Sequence, residues 1–143
     1  MTSDDKKIWR EKWLRCINEL TSLELQKKSW FDRTQKNPHW SFVEFICSYF
    51  ADLGIDDHYK YPIDKGWLTN HEFEIIKDWH EALDKYNSPD NNDNDHAAIL
   101  TDPKWLDILQ RGQEVKRKLA AILNETENEV LTEEINYPDF RQN

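Results

Sequence analysis

The side chains in this sequence that could do chemistry are thinly spread, and their spacing argues against most of it. Asp56-Asp57-His58 sets two carboxylates beside an imidazole, with His71, His80 and His96 further along the chain. A zinc or iron site needs several such groups converging on one point, commonly four apart on one helix. No HxxxH, HExxH or ExxH pair occurs. His80 and Asp84 stand four apart, a spacing that orients an imidazole but reads as a helical surface pair. In the run Asp90–Thr101, Asp90, Asn92 and Asn94 alternate as in a calcium loop. Asp95 then stands where that loop needs glycine, and Thr101 where it needs a bidentate glutamate. There is no GxSxG, and three isolated glycines cannot build a phosphate-cradling loop. Cys16 and Cys47 lie on core-type faces, where a thiol stays protonated and inert. Glu44 interrupts an apolar face, so it is either an acid of raised pKa or, as the commoner case, a residue reaching the surface or a helix end. His39-Trp40 and Trp79-His80 read as core-edge pairs. No metal, cofactor or catalytic residue is expected, and the chain reads as a non-enzyme.

The elements that carry these residues are helical. Trp9, Trp13, Cys16, Ile17 and Leu20 mark one face of a helix from Asp4 to Leu20. Thr21-Ser22-Leu23-Glu24 has the capping-box pattern and predicts a second helix running to Asp32. Asn37-Pro38 predicts the start of a third, ending at Leu53 with Gly54 beyond it. That third helix is apolar nearly all round, through Phe42, Val43, Phe45, Ile46, Cys47, Tyr49, Phe50 and Leu53, which predicts a central helix enclosed by the others. Ile55–Lys65 reads as a polar, aromatic connection. Thr69 and Glu72 form a capping box, with Leu68 and Phe73 as its hydrophobic staple, and open a helix to Tyr86. Asn87–Asp95 is an apolar-free loop, followed by a short turn at His96–Leu100. Asp102-Pro103 opens the last helix, to Leu123, in which Gly112 is a weak point or a place of close approach. The expected fold is all-α, a single-domain bundle of about five helices over residues 1–123. An acidic, flexible C-terminal tail is expected over 124–143.

Few of the 143 residues are glycine or proline, which disfavours a turn-dense β fold, and eighteen aromatics supply a large apolar core. No apolar run is long enough to span a membrane, and the N-terminus lacks a signal peptide, so a cytoplasmic protein is expected. The net charge of −9 is uneven: +3 over residues 1–36, −6 over 37–86 and −5 over 124–143. Such a surface repels nucleic acid and anionic membranes and steers basic partners. The N-terminal Lys6, Lys7, Arg10, Lys12 and Arg15 alternate with tryptophans as nucleic-acid binders do, but they fall on the opposite helical face, which is ordinary amphipathicity.

An acidic, aromatic-rich helical domain with no catalytic constellation reads as a protein that binds another protein. The run Asn37–Gly54, the segment KGWLTNHEFEIIKDWHEALDKY at Lys65–Tyr86, Asp95-His96 and ILTDPKW at Ile99–Trp105 resemble small bacterial immunity proteins. Those accompany polymorphic toxins, including those of contact-dependent growth inhibition, and the resemblance covers the middle half of the chain. It implies stoichiometric binding and neutralisation of a cognate toxin domain, basic and nuclease-like. On that reading Asp52, Asp56, Asp57 and Asp64 form an acidic patch, with Tyr59, Tyr61 and Trp67 as aromatic anchors. The same residues also fit a solvated loop packed on the bundle. The alternative function is a non-catalytic regulatory or scaffold subunit, whose binding would depend little on salt.

Overall fold

A computed structural model describes residues 2–31, 41–55 and 57–134. Among them lie eight α-helices and no strand: α1 (Thr2–Leu20), α2 (Leu23–Trp30), α3 (Phe42–Phe50), α4 (Lys60–Lys65), α5 (Asn70–Lys85), α6 (His96–Leu100), α7 (Pro103–Ala120) and α8 (Glu125–Thr132). The all-α class stands, with more helices than the expected five. One addition is α4, inside the stretch read as a connection. Its Pro62 falls in the first turn, where the missing N–H has no intrahelical partner to lose, and Gly66 ends it in a left-handed conformation at φ 77°.

The central helix is α1 rather than α3. Trp9, Trp13, Cys16, Ile17 and Leu20 are all buried as their period required, and Leu14, Asn18 and Glu19 are buried as well. Helices α2, α3, α7 and α8 all pack on it, while α5 pairs with α7. α3 starts later than expected, at the N-cap Ser41, whose Oγ accepts from the Glu44 N–H. The expected start at Asn37-Pro38 lies outside the described residues. α3 also buries only one side. Phe42, Phe45 and Tyr49 face the core, whereas Val43 and Cys47 are exposed, so Cys47 is not a core thiol. The apolar pattern identified the helix, but it did not say which face would be covered.

Four tryptophans fasten one element to another by their indole N–H. Trp9 donates to the Leu53 carbonyl (2.9 Å), Trp13 to the Tyr59 hydroxyl (2.9 Å), Trp79 to the Ile108 carbonyl (3.0 Å) and Trp105 to Gln26 Oε1 (3.0 Å). A buried indole N–H usually finds such a partner, although that of buried Trp30 has none among the described residues, and in these four cases the partner also fixes a crossing.

The residues after Asn124 are not all tail. α8 is N-capped by Asn124, lies along α1 and buries Leu131 completely, so residues 124–134 belong to the bundle. Composition hid this helix, because its one deep anchor sits among five acids. The rest of the expected tail, residues 135–143, lies outside the described residues.

Gly112 marks a close approach. A Cβ there would collide with Thr21 Cγ2 and stand 2.9 Å from Trp79 Nε1. Gly112→Ala should therefore cost about 1–3 kcal/mol of stability by overpacking, despite alanine's better helix propensity. Urea unfolding checks this, and an unchanged midpoint would contradict the close approach.

Candidate partner-binding surface

The seven residues expected to meet a partner divide sharply once placed. Asp52, Asp57, Tyr61 and Asp64 are exposed and Trp67 is half-buried. Asp56 lies outside the described residues. Tyr59 is fully buried and is a core residue, not a surface anchor. His58 and Tyr59 both have positive φ (60° and 70°), so the chain turns left-handed before α4 and swings the Tyr59 ring inward. Its hydroxyl accepts from Trp13 and meets the Tyr49 hydroxyl at 2.6 Å.

Asp52, Tyr61 and Trp67 come together in one open groove of about 530 Å³. Its other wall is the first half of α1, through Asp5, Ile8, Trp9 and Lys12. The α1 residues were missed because the Trp9–Leu20 period marks the buried face and leaves Ile8 outside it. An isoleucine among Lys7, Arg10 and Lys12, off the core face, was the available signal. Ile8 is 58% exposed and Tyr61 42%. Tyr61 and Trp67 pack edge to face at 5.6 Å, and Trp67 lies 6.1 Å from Trp9. Gly54, at φ 65°, leaves room for the Tyr61 ring, since a Cβ there would come within 3.3 Å of it.

Charge in this region is mixed rather than acidic throughout. Asp64 is paired with Lys60 at 2.9 Å, an exposed pair one helical turn apart. Lys65 places its ammonium 5.6 Å from the Tyr61 ring centre and 5.7 Å from that of Trp67. The aromatic surface is therefore the better-defined feature, with Asp5, Asp52 and Lys12 at its edge.

The polar groups behind the groove are structural. Arg10 donates from Nε and Nη2 to both oxygens of Glu127, from Nη1 and Nη2 to both oxygens of Glu72, and from Nη1 to the Trp67 carbonyl, at 2.7–3.2 Å. All five of its N–H groups are used. Glu72 meanwhile completes the predicted capping box by accepting from the Thr69 N–H. Burial alone would raise the Glu72 carboxyl, but Arg10 and the Thr69 amide outweigh it and hold it below its ordinary range.

Of the four histidines with ligand potential, His80 and His96 are spent on the fold, whereas His58 and His71 are exposed. His80 is buried, and burial, reinforced by nearby His58, lowers its pKa to about 4. The Tyr59 hydroxyl, which accepts from the Trp13 indole, stands 2.6 Å from the Tyr49 hydroxyl, and that in turn lies 2.9 Å from His80 Nδ1. With its pKa lowered so far, the buried His80 ring is neutral near pH 7. His96 accepts from the Phe42 N–H through Nε2 (3.4 Å), leaving Nδ1 to donate to the Trp30 carbonyl (3.1 Å). Burial lowers its pKa too. Among the described residues no group of three or more His, Cys, Asp or Glu side chains is placed to hold a metal. In the Asn87–Asp95 loop, Asp93 accepts from Ser88 Oγ and Asn92 from the Asn94 N–H, which are turn bonds. Among the described residues, no helix is long and apolar enough to cross a membrane. No protein-family model, curated protein or solved structure matches the chain.

Proposed function

We propose that this protein works by stoichiometric binding of another protein, and that its partner is a cognate bacterial toxin domain which it neutralises in the cytoplasm. The observation that carries the reading is the aromatic groove, where Ile8 and Tyr61 stand in solvent beside Trp67. Binding energy concentrates where aromatics are desolvated at the centre of an interface, while charges around them set rate and specificity. The acids Asp5 and Asp52 that line it, exposed Asp57 on the turn before α4 and the net charge of −9 favour a basic partner, such as a nuclease domain.

The test is capture from the native cell at low salt, followed by reconstitution with the recovered domain. A 1:1 complex that abolishes the domain's toxicity is expected. Tyr61→Ala should weaken it about 30-fold or more, and Asp52→Lys with Asp57→Lys should slow association at least tenfold. Recovery of a housekeeping complex whose binding ignores salt and these changes would instead assign a regulatory or scaffold subunit.

A further inference from the structure

α3 carries two apolar sides; the bundle covers the first and only the edge of the second, where Ile46 and Phe50 touch the core and Phe50 packs on Tyr49 and His80. The second is Val43, Ile46, Cys47 and Phe50, recurring at three- and four-residue intervals. This is the stripe that one helix presents to another. Val43 is 39% exposed, Cys47 is exposed, and Ile46 and Phe50 are half-buried. Between this stripe and the C-terminal end of α5 runs a cavity of about 280 Å³, floored by Phe42, Ile46, Phe50 and Leu83. Asp84 and Asp93 line it, and among the described residues no lysine or arginine does. On the other flank of the stripe stands exposed Glu44.

We propose that this groove is a second docking surface, and that its occupant is a basic amphipathic helix of a partner protein. Its apolar residues would lie along Val43, Ile46 and Phe50, with lysines or arginines on both flanks facing Glu44 on one side and Asp84 and Asp93 on the other. A second copy of this chain does not fit, because a two-fold contact would bring Glu44, Asp84 and Asp93 of one copy onto the same acid-flanked face of the other. An anionic lipid surface is repelled for the same reason. The surface is separate from the α1–α4 groove and does not depend on the partner being a toxin.

Cys47 makes the test direct. Cys16 is buried and its thiol is held protonated, so Cys47 is the thiol that alkylates in the folded protein. The probe is a synthetic leucine–lysine amphipathic helix, with a leucine–glutamate peptide of the same pattern as its counterpart. The leucine–lysine peptide should slow maleimide labelling of Cys47 at least tenfold, and the leucine–glutamate peptide should not. Val43→Glu and Ile46→Asp, each checked for retained helicity, should remove the protection. Asp84→Lys with Asp93→Lys should weaken the peptide at least tenfold, while Glu125→Lys on α8 should leave it within twofold. Equal protection by both peptides, or equal weakening by Glu125→Lys, would reduce the effect to non-specific attraction and overturn the proposal. A Cys47 that resists alkylation in the free protein at any concentration would mean the face is covered within the chain. Resistance that grows with protein concentration would mean a second copy covers it, and either result also overturns the proposal.

Discussion

Arg10→Leu should lower the unfolding free energy by about 3–5 kcal/mol, the largest loss expected from any single substitution described above. The guanidinium is buried and holds two carboxylates, each through two bonds, so its removal leaves Glu72 and Glu127 facing each other without a counter-charge. The magnitude comes from the stranded charges more than from the worth of the pair. Arg10→Lys should recover only part of it, because an ammonium cannot grip both carboxylates in the same plane or reach the Trp67 carbonyl as well. Arg10→Leu with Glu72→Leu and Glu127→Leu should be less harmful than the single change, since no charge is then left unpaired. Urea denaturation followed by circular dichroism measures all three, and a loss below about 1 kcal/mol for Arg10→Leu would contradict the buried geometry.

Acid should weaken the fold well above the range in which carboxylates titrate. His80 takes up a proton near pH 6.5 in the unfolded chain but only near pH 4 in the folded one. Between those values the unfolded state binds more protons, so stability falls as pH falls, from no effect above about 6.5 to its full extent near 4. The difference corresponds to roughly 3 kcal/mol. Burial is the main cause, and His58 adds to it, while Asp84, Glu81 and Asp57 partly offset it. Protonation would also leave both ring nitrogens able only to donate, so Nδ1 could no longer accept from the Tyr49 hydroxyl in the chain that ends at Trp13. His96 acts in the same direction. Glu72, held below its ordinary range, adds its own loss only as pH falls through the carboxylate region. Urea midpoints at pH 7.5, 6 and 5 should decline steadily in the native protein and less steeply in His80→Gln. A flat profile down to pH 4.5 would remove His80 from this role.

What could be read from the sequence was local. The Thr69–Glu72 capping box, the Asp102-Pro103 start and the buried face of α1 each depend on residues within one or two turns, and all three are present as expected. The N-cap of α2 was misplaced by one residue: Ser22 caps it, while Thr21 turns back to the Ile17 carbonyl, and both hydroxyls sit in sequence positions that would serve. Long-range pairing could not be read in this way. Arg10 meets carboxylates 62 and 117 residues away, so it reads as one more charge on a solvated face. Tyr59 reads as a surface anchor because nothing in IDDHYKYP marks two successive left-handed residues. In the candidate site, the Asp52–Trp67 side was found from its aromatics, but the α1 wall was not. The neutralisation of Asp64 was legible, since Lys60 stands four residues before it.

The clasp at Arg10 also sets an order of assembly. Its three members come from α1, the start of α5 and α8, so Glu127 is synthesised after both of the residues it closes on. A nascent chain that has emerged only as far as α7 holds Arg10 and Glu72 but has no second carboxylate, and it lacks Leu131 to cover α1. Folding therefore cannot close during translation until α8 has cleared the ribosome, and earlier intermediates carry an open flank on their central helix.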